Sequence, residues 1–242
     1  MEWRDQGIVL AVRPHGETSA IVEVLTAEQG RHAGLVRGAR SRSMRPILQP
    51  GNQITVNWRA RLSEHLGMFQ IEADDLTAGM VMEDRTALAA LNSACAVAVM
   101  CLPEREAHPR VHQGFQLLLG AFDNPDIWPA LYVRWEAGLL SDLGYGLDMS
   151  ACAVTGVTED LTHISPRTGR AVCREEAAPY APKLLELPPF MAGSGKIAEG
   201  DIARGLALTG YFLERRVLWP IDKQLPEARG RLMAELERVG RL

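Results

Sequence analysis

Residues 7–36, GIVLAVRPHGETSAIVEVLTAEQGRHAGLV, decide the fold. In Gly7–Arg13, Ile8, Leu10 and Val12 alternate with Val9 and Ala11, which makes a strand buried on at least one face. His15-Gly16-Glu17 supplies a turn, Ser19–Thr26 is a second strand ended by Glu28-Gln29-Gly30, and Arg31–Val36 is a third. Working outward, Pro50-Gly51-Asn52 turns the chain into Gln53–Arg59, where Ile54, Val56 and Trp58 alternate strictly. Leu66–Ile71 is a fifth, weaker strand. Short, glycine-punctuated, largely antiparallel strands within about 70 residues predict a small closed barrel. The OB-fold is the five-stranded candidate, and it binds oligonucleotides across one face.

The strand pattern ends near Ala73, and from Met80 onward the period is helical. Helices are expected at Arg85–Leu102, stopped by Pro103, and at Val111–Phe122, stopped by Asp123-Asn124-Pro125. A third spans Trp128–Leu143, with Leu131, Trp135, Leu139 and Leu143 on one stripe and Gly144 at its end. Asp201–Leu218, stopped by Pro220, and Glu227–Val239 complete the set. Residues 147–186 are irregular and rich in Gly and Pro. The expectation is an α+β multidomain chain, with an OB-fold barrel over residues 1–78 and an α-helical domain over 79–242 that carries the 147–186 insert.

Hydrophobic content of 47 % is ample for a core, and the net charge of −4 conceals an asymmetry. Residues 1–61 hold nine Arg against Glu2, Asp5, Glu17, Glu23 and Glu28, giving +4, which leaves −8 for the rest. A basic head on an acidic body suits phosphate binding, although drift in surface charge produces the same asymmetry. The first residues, MEWRDQG, lack the apolar core of a signal peptide. The longest apolar run, Ala87–Leu102, is interrupted by Asn92 and Ser93 and falls short of the roughly 20 residues that cross a bilayer. A cytoplasmic protein with reduced thiols is expected.

The basic residues concentrate after the third strand. Arg37, Arg40, Arg42 and Arg45 follow one another with only Gly, Ala, Ser, and Met between them and no acid. Such groups repel one another unless water or a polyanion separates them, and arginine forks bind phosphate oxygens in bidentate fashion. A flexible arginine loop on a rigid strand therefore fits a nucleic-acid backbone; a solvated loop without a partner is the alternative. Arg31, Arg59 and Arg61 extend the candidate set. Trp58 and Phe69 either stack on bases or fill the barrel, and the register of Trp58 with Ile54 and Val56 favours the core.

Other motifs carry less. Gly193-Ser194-Gly195-Lys196 lacks both the earlier glycine of a Walker loop, where Phe190 stands, and the Ser or Thr after lysine, where Ile197 stands. Cys152 and Cys173 bracket the insert, but a structural zinc site needs a Cys-x-x-Cys pair at each end, and Thr155 and Glu176 occupy the partner positions. Cys95 and Cys101 read as core. No histidine falls in a metal-binding pattern, no Ser in Gly-x-Ser-x-Gly, and nothing argues for an enzyme. Arg134 lies beside the apolar stripe of the third helix, where a charge either snorkels or captures a partner's carboxylate.

Taken together, GIVLAVRPHGETSAIVEVLTAEQGRHAGLVRGARS (7–41), LQPGN (48–52), LPEREAHP (102–109), RWEAGLLSDLGYGLD (134–148), CAVTG (152–156), SPRTGRAV (165–172) and GLALTGYFLERRVL (205–218) resemble the RecO family, bacterial recombination mediators of the RecF repair pathway. The resemblance covers nearly the whole length. It implies an OB-fold, a helical domain and, in many relatives, a zinc-binding insert. It also implies binding of single- and double-stranded DNA, annealing of complementary strands and loading of RecA onto DNA coated by single-strand-binding protein. Partnership with RecR and docking of the acidic tail of single-strand-binding protein follow, without any cofactor. The family's Gly-Ala-Arg element falls on Gly38, Ala39 and Arg40, and its tail-binding basic residue on Arg134. Only the first cysteine of each zinc pair is kept, so the insert is degenerate and no metal is expected.

The expected function is therefore recombination mediation without catalysis. The alternatives are a protein-interaction adaptor with no DNA affinity of its own, and an RNA-binding OB protein.

Overall fold

The computed structural model describes residues 1–193 and 197–242; the Walker-like lysine, Lys196, with Ser194 and Gly195, lies outside the described residues. The chain divides into two compact units, one of residues 1–123 and 226–232 and one of 124–225 and 233–242.

The first unit is built on β1 (Glu2–His15), β2 (Ser19–Thr26), β3 (Gly30–Val36), β4 (Gln53–Arg59) and β5 (Met68–Asp75). They close a barrel in the order β1-β2-β3-β5-β4, the five-stranded OB arrangement expected. Strand β1 serves two partners: its first half pairs antiparallel with β4 and its second with β2. An irregularity between Val9 and Ala11 bends it from one to the other. β1 is thus longer than the expected Gly7–Arg13, because Trp3 pairs with Trp58 across a stretch whose other residues are polar. Inside, Val9, Val22, Val24, Val36, Ile54, Val56, Trp58 and Phe69 form the core.

After a single turn, α1 (Thr77–Met80), the helix α2 (Arg85–Cys101) begins at Asp84, whose carboxylate accepts from the N–H groups of Thr86 and Ala87 at 2.8 and 3.0 Å. It ends at Leu102, held extended before Pro103. Cys95 on this helix points its thiol at the Val9 carbonyl, and burial pushes that thiol up to about 12, as befits a core residue. Helix α3 (Pro109–Leu119) follows, starting on its own proline.

The second unit holds α4 (Trp128–Asp142), the insert and α6 (Asp201–Phe212). α4 and α6 approach closely at Gly205, where a Cβ would stand 2.8 Å from Val133 Cγ1. The Thr209 hydroxyl donates to the fully buried Glu136 carboxylate at 2.5 Å. The helix expected to run from Asp201 to Leu218 changes winding after Phe212, and residues Leu213–Leu218 form a π-turn. There Arg215 stacks 3.8 Å above the ring centroid of Trp219.

The insert is more ordered than its Gly/Pro content suggests. β6 (Leu161–Ile164) is flanked by β7 (Ala171–Cys173) and β8 (Leu185–Glu186), with the one-turn α5 (Arg174–Ala177) after β7. Cys152 and Cys173 come together, the Cys173 N–H donating to the Cys152 sulfur at 3.4 Å. The Thr155 hydroxyl stands 3.9 Å from the Cys173 sulfur. Burial raises the Cys152 thiol, but the Thr155 hydroxyl and the N–H groups of Cys173, Thr155 and Val154 outweigh it and bring it down to about 6. Among the described residues, no three His, Cys, Asp or Glu side chains are grouped to hold a metal. Helix α7 (Glu227–Arg238) closes the chain's secondary structure. No helix among the described residues is long and apolar enough to cross a membrane.

Candidate nucleic-acid interface

Strict alternation along β3 buries His32, Gly34 and Val36, so the next residue, Arg37, emerges where the strand leaves the barrel. Gly38 then takes a left-handed conformation, φ +66°, and turns the chain. The segment beyond is wound into successive turns rather than left as the flexible loop expected. Ser41 N–H reaches Gly38 O at 2.9 Å, Arg45 N–H reaches Ser41 O at 3.1 Å and Leu48 N–H reaches Met44 O at 3.0 Å. Ala39, Met44, Ile47 and Leu48 anchor it against the barrel core. Arg37, Arg40, Arg42 and Arg45 point outward.

Asn52, only 1 % exposed, fixes the far end of this loop. Its amide donates to the Pro46 and Ile47 carbonyls at 2.8 and 3.0 Å and accepts from the Ala78 N–H at 3.0 Å. A buried amide with three partners has no cheap substitute, and its role was hidden in sequence behind a Pro-Gly-Asn turn signal.

The strand pairing gathers three connections at one end of the barrel. Val36 at the end of β3 pairs with Ala20 at the start of β2, so the β1–β2 turn lies beside the arginine loop. The Arg40 N–H and guanidinium reach the carbonyls of Thr18 and Glu17, each at 3.2 Å. On the other side Leu35 pairs with Met68, and Met68 pairs with Arg59. The β4–β5 loop, which carries Arg61, therefore starts and ends beside the exit of β3. Arg37, Arg40, Arg42, Arg45, Arg59 and Arg61 are all exposed, and among the described residues none forms an ion pair. Cations held apart without acids are poised for a polyanion.

Arg31 is placed differently from the other six. It sits at the opposite end of β3, and its side chain is 13 % exposed. Its guanidinium meets the Glu23 carboxylate at 2.6 Å, the Leu102 carbonyl at 2.9 Å and Glu104 at 3.5 Å. Glu23 also receives Arg13 at 2.6 Å. Arg31 thus belongs to an internal charge cluster.

Trp58 and Phe69 are 2 % and 3 % exposed and fill the barrel, so neither offers a face to a base. Trp3 stacks on Trp58 with centroids 5.7 Å apart, and His32 tilts against Trp58 at 5.0 Å. Burial in this aromatic box lowers the His32 pKa; the hydrogen bond to the Ala33 carbonyl opposes the shift and the nearby Arg105 charge adds to it. Burial lowers His112 on α3 in the same way. A histidine held below its unfolded pKa contributes stability above that value and loses it as pH falls. Denaturant midpoints are therefore expected to fall between about pH 7.5 and about pH 5.5, and His32→Gln should flatten part of that slope. An unchanged slope in the variant would remove His32 as a cause.

In the second unit Arg134 is exposed, with one guanidinium nitrogen donating to the Phe190 carbonyl at 2.6 Å. Its neighbours Trp135 and Glu136 are buried. The remaining N–H donors of this exposed guanidinium have no partner among the described residues.

Comparison with known proteins agrees with this architecture. The family described as "Recombination protein O N terminal" matches residues 1–73, and "Recombination protein O C terminal" matches residues 82–225. The chain belongs to the RecO family. It is 51 % identical over 243 residues to "DNA repair protein RecO" of Phenylobacterium zucineum (strain HLK1), covering all of both chains. It is 50 % identical to the protein of that name from Ruegeria sp. (strain TM1040), covering 98 % of this chain and 99 % of the relative. The Caulobacter vibrioides (strain NA1000 / CB15N) relative is 50 % identical over 243 residues. DNA repair and recombination are thus the processes to which the RecO family assigns this chain.

Proposed function

We propose that this RecO-family chain is a non-catalytic recombination mediator whose barrel end binds the sugar–phosphate backbone of single- and double-stranded DNA. The exposed, ion-pair-free set Arg37, Arg40, Arg42, Arg45, Arg59 and Arg61 at one end of the barrel carries this reading. Phosphates shielded on two strands repel less while their bases stay free to pair, which is the physical basis for annealing. With RecR, the protein helps load RecA onto DNA coated by single-strand-binding protein. The acidic tail of that protein docks its carboxylates on Arg134, whose second guanidinium edge is available for a bidentate pair. The functional division follows residues 1–78 for DNA contact and 79–242 for partners. Action in the cytoplasm at the nucleoid follows from the DNA substrate.

Phosphate binding releases counterions, with log K falling by roughly 0.7 per contacted phosphate of a single strand for each decade of salt. A fluorescent oligothymidylate titrated across a salt series should therefore give a steep slope, of about −4 if all six arginines engage. An oligonucleotide of different sequence should bind alike. A flat salt dependence sinks the DNA reading and favours a protein adaptor.

A further inference from the structure

The segment between α2 and α3, Leu102 to His108, lies as a strap on the barrel. Arg31 and Glu104 form a parallel bridge, and the Arg105 N–H donates to the Arg31 carbonyl at 2.8 Å. At Gly30 the strap comes so close that a Cβ would stand 1.8 Å from the Glu106 carbonyl oxygen, so only glycine fits there. Arg105 itself is held at φ +62°, a left-handed conformation that a non-glycine residue adopts only at a cost.

That conformation aims the Arg105 guanidinium at the β4–β5 loop. One nitrogen donates to the Ser63 carbonyl at 2.6 Å, and the other to the carbonyls of Glu64 and His65 at 3.1 and 3.0 Å. One planar fork thus gathers three consecutive carbonyls. The loop has little else to fix it, since every side chain from Arg61 to Leu66 is exposed. At its ends the Trp58 indole donates to Leu66 O at 3.0 Å and Leu35 N–H to Gly67 O at 3.0 Å. Arg59 is held in the β4 ladder by its pairing with Met68, whereas Arg61 lies in the loop two residues before the clamped carbonyls, so the clamp bears on where Arg61 stands relative to the arginine loop.

We propose that Arg105 is a positioning residue for nucleic-acid binding: it clamps the β4–β5 loop so that Arg61 stands beside Arg37–Arg45 and grips the same backbone. The proposal rests on the DNA reading above. Arg105 acts through the loop: three of its five N–H donors are held by the three carbonyls, and a direct phosphate contact of its own would show as an additional loss in the Arg61→Ala/Arg105→Ala double variant.

The test measures oligothymidylate binding across a salt series for the intact chain, Arg105→Ala, Arg61→Ala and the double variant. One lost phosphate contact should lower the slope by about 0.7 in Arg61→Ala, and Arg105→Ala should lose most of the same amount. The double variant should fall no further than Arg61→Ala. Hydrogen exchange at amides 61–67 should quicken in Arg105→Ala. Should that variant fail to fold, Arg105→Lys keeps the charge without the planar fork and should show the same reduced slope. Glu104→Gln, which touches Arg31 and not the loop, should leave the slope alone. An unchanged slope in the Arg105 variants, or additive losses in the double variant, overturns the proposal. A flat slope in the intact chain is a different outcome: it removes the DNA reading itself and the positioning role with it.

Discussion

Replacing Arg37, Arg40, Arg42 and Arg45 together with Ala is expected to weaken binding of any single-stranded DNA sequence by about 10²–10³-fold at about 0.1 M salt. The estimate follows from four lost phosphate contacts, each removing roughly 0.7 from the slope of log K against log salt over a decade below 1 M. The fold should survive. The four guanidinium groups are exposed and free of ion pairs, Arg40 giving up only a bond to the exposed Glu17 carbonyl, while Ala39, Met44, Ile47 and Leu48 hold the loop and remain in place. Circular dichroism and denaturant midpoints should therefore match the parent within about 0.5 kcal/mol. Because these residues touch no base in the reading offered, the loss should be equal for oligonucleotides of different sequence, and annealing should fail in parallel with binding. Parent-like affinity in a folded variant would move the DNA site away from the arginine loop.

What was legible in the sequence depends on how far apart the cooperating residues lie. The barrel was readable because alternation is local: Ile54, Val56 and Trp58 face one way whatever their neighbours, and closure in the order β1-β2-β3-β5-β4 satisfies every core-facing strand. Trp58 and Phe69 are core for the same reason. The first residues of β1 carry no such pattern, since Trp3 alone among Glu2–Gln6 is apolar, so the strand's extension was not visible. Order in the insert was hidden because β6, β7 and β8 are two to four residues long and pair across turns that read as breaks. The change of winding after Phe212 leaves no local mark either.

The same rule separates the site residues. An arginine's identity shows in sequence, but its partners need not. Arg37 to Arg45 have no acid within the loop, and the fold brings them none. Arg31 looks equally basic, yet β2 supplies Glu23 and the strap supplies Leu102 and Glu104, more than 70 residues away for the latter two. Arg105, in turn, reads as one charge in an acidic run, Glu104-Arg105-Glu106, and only the fold reveals the loop it holds.

Arg31→Ala should therefore behave oppositely to the arginine-loop variant: it should cost stability and spare DNA affinity. Glu23 is 4 % exposed, and with Arg31 removed it keeps a single cation, Arg13, whose side chain is 65 % exposed and largely hydrated. Breaking a buried pair costs about 3–5 kcal/mol when the remaining charge is stranded. Arg13 offsets part of that, so a loss of about 3 kcal/mol is expected, read as a lower denaturant midpoint with an unchanged m-value. Replacing Glu23 at the same time should recover part of the loss, because the double change leaves no uncompensated acid. The salt slope of DNA binding should stay at the parent value under folding conditions. The Arg31 guanidinium is taken up by Glu23, the Leu102 carbonyl and Glu104, and the Arg105 hydrogen bond to position 31 uses the backbone carbonyl, which alanine retains. A slope lower by about 0.7 in a stably folded Arg31→Ala protein would instead place Arg31 on the DNA and dissolve the distinction between its end of β3 and the other.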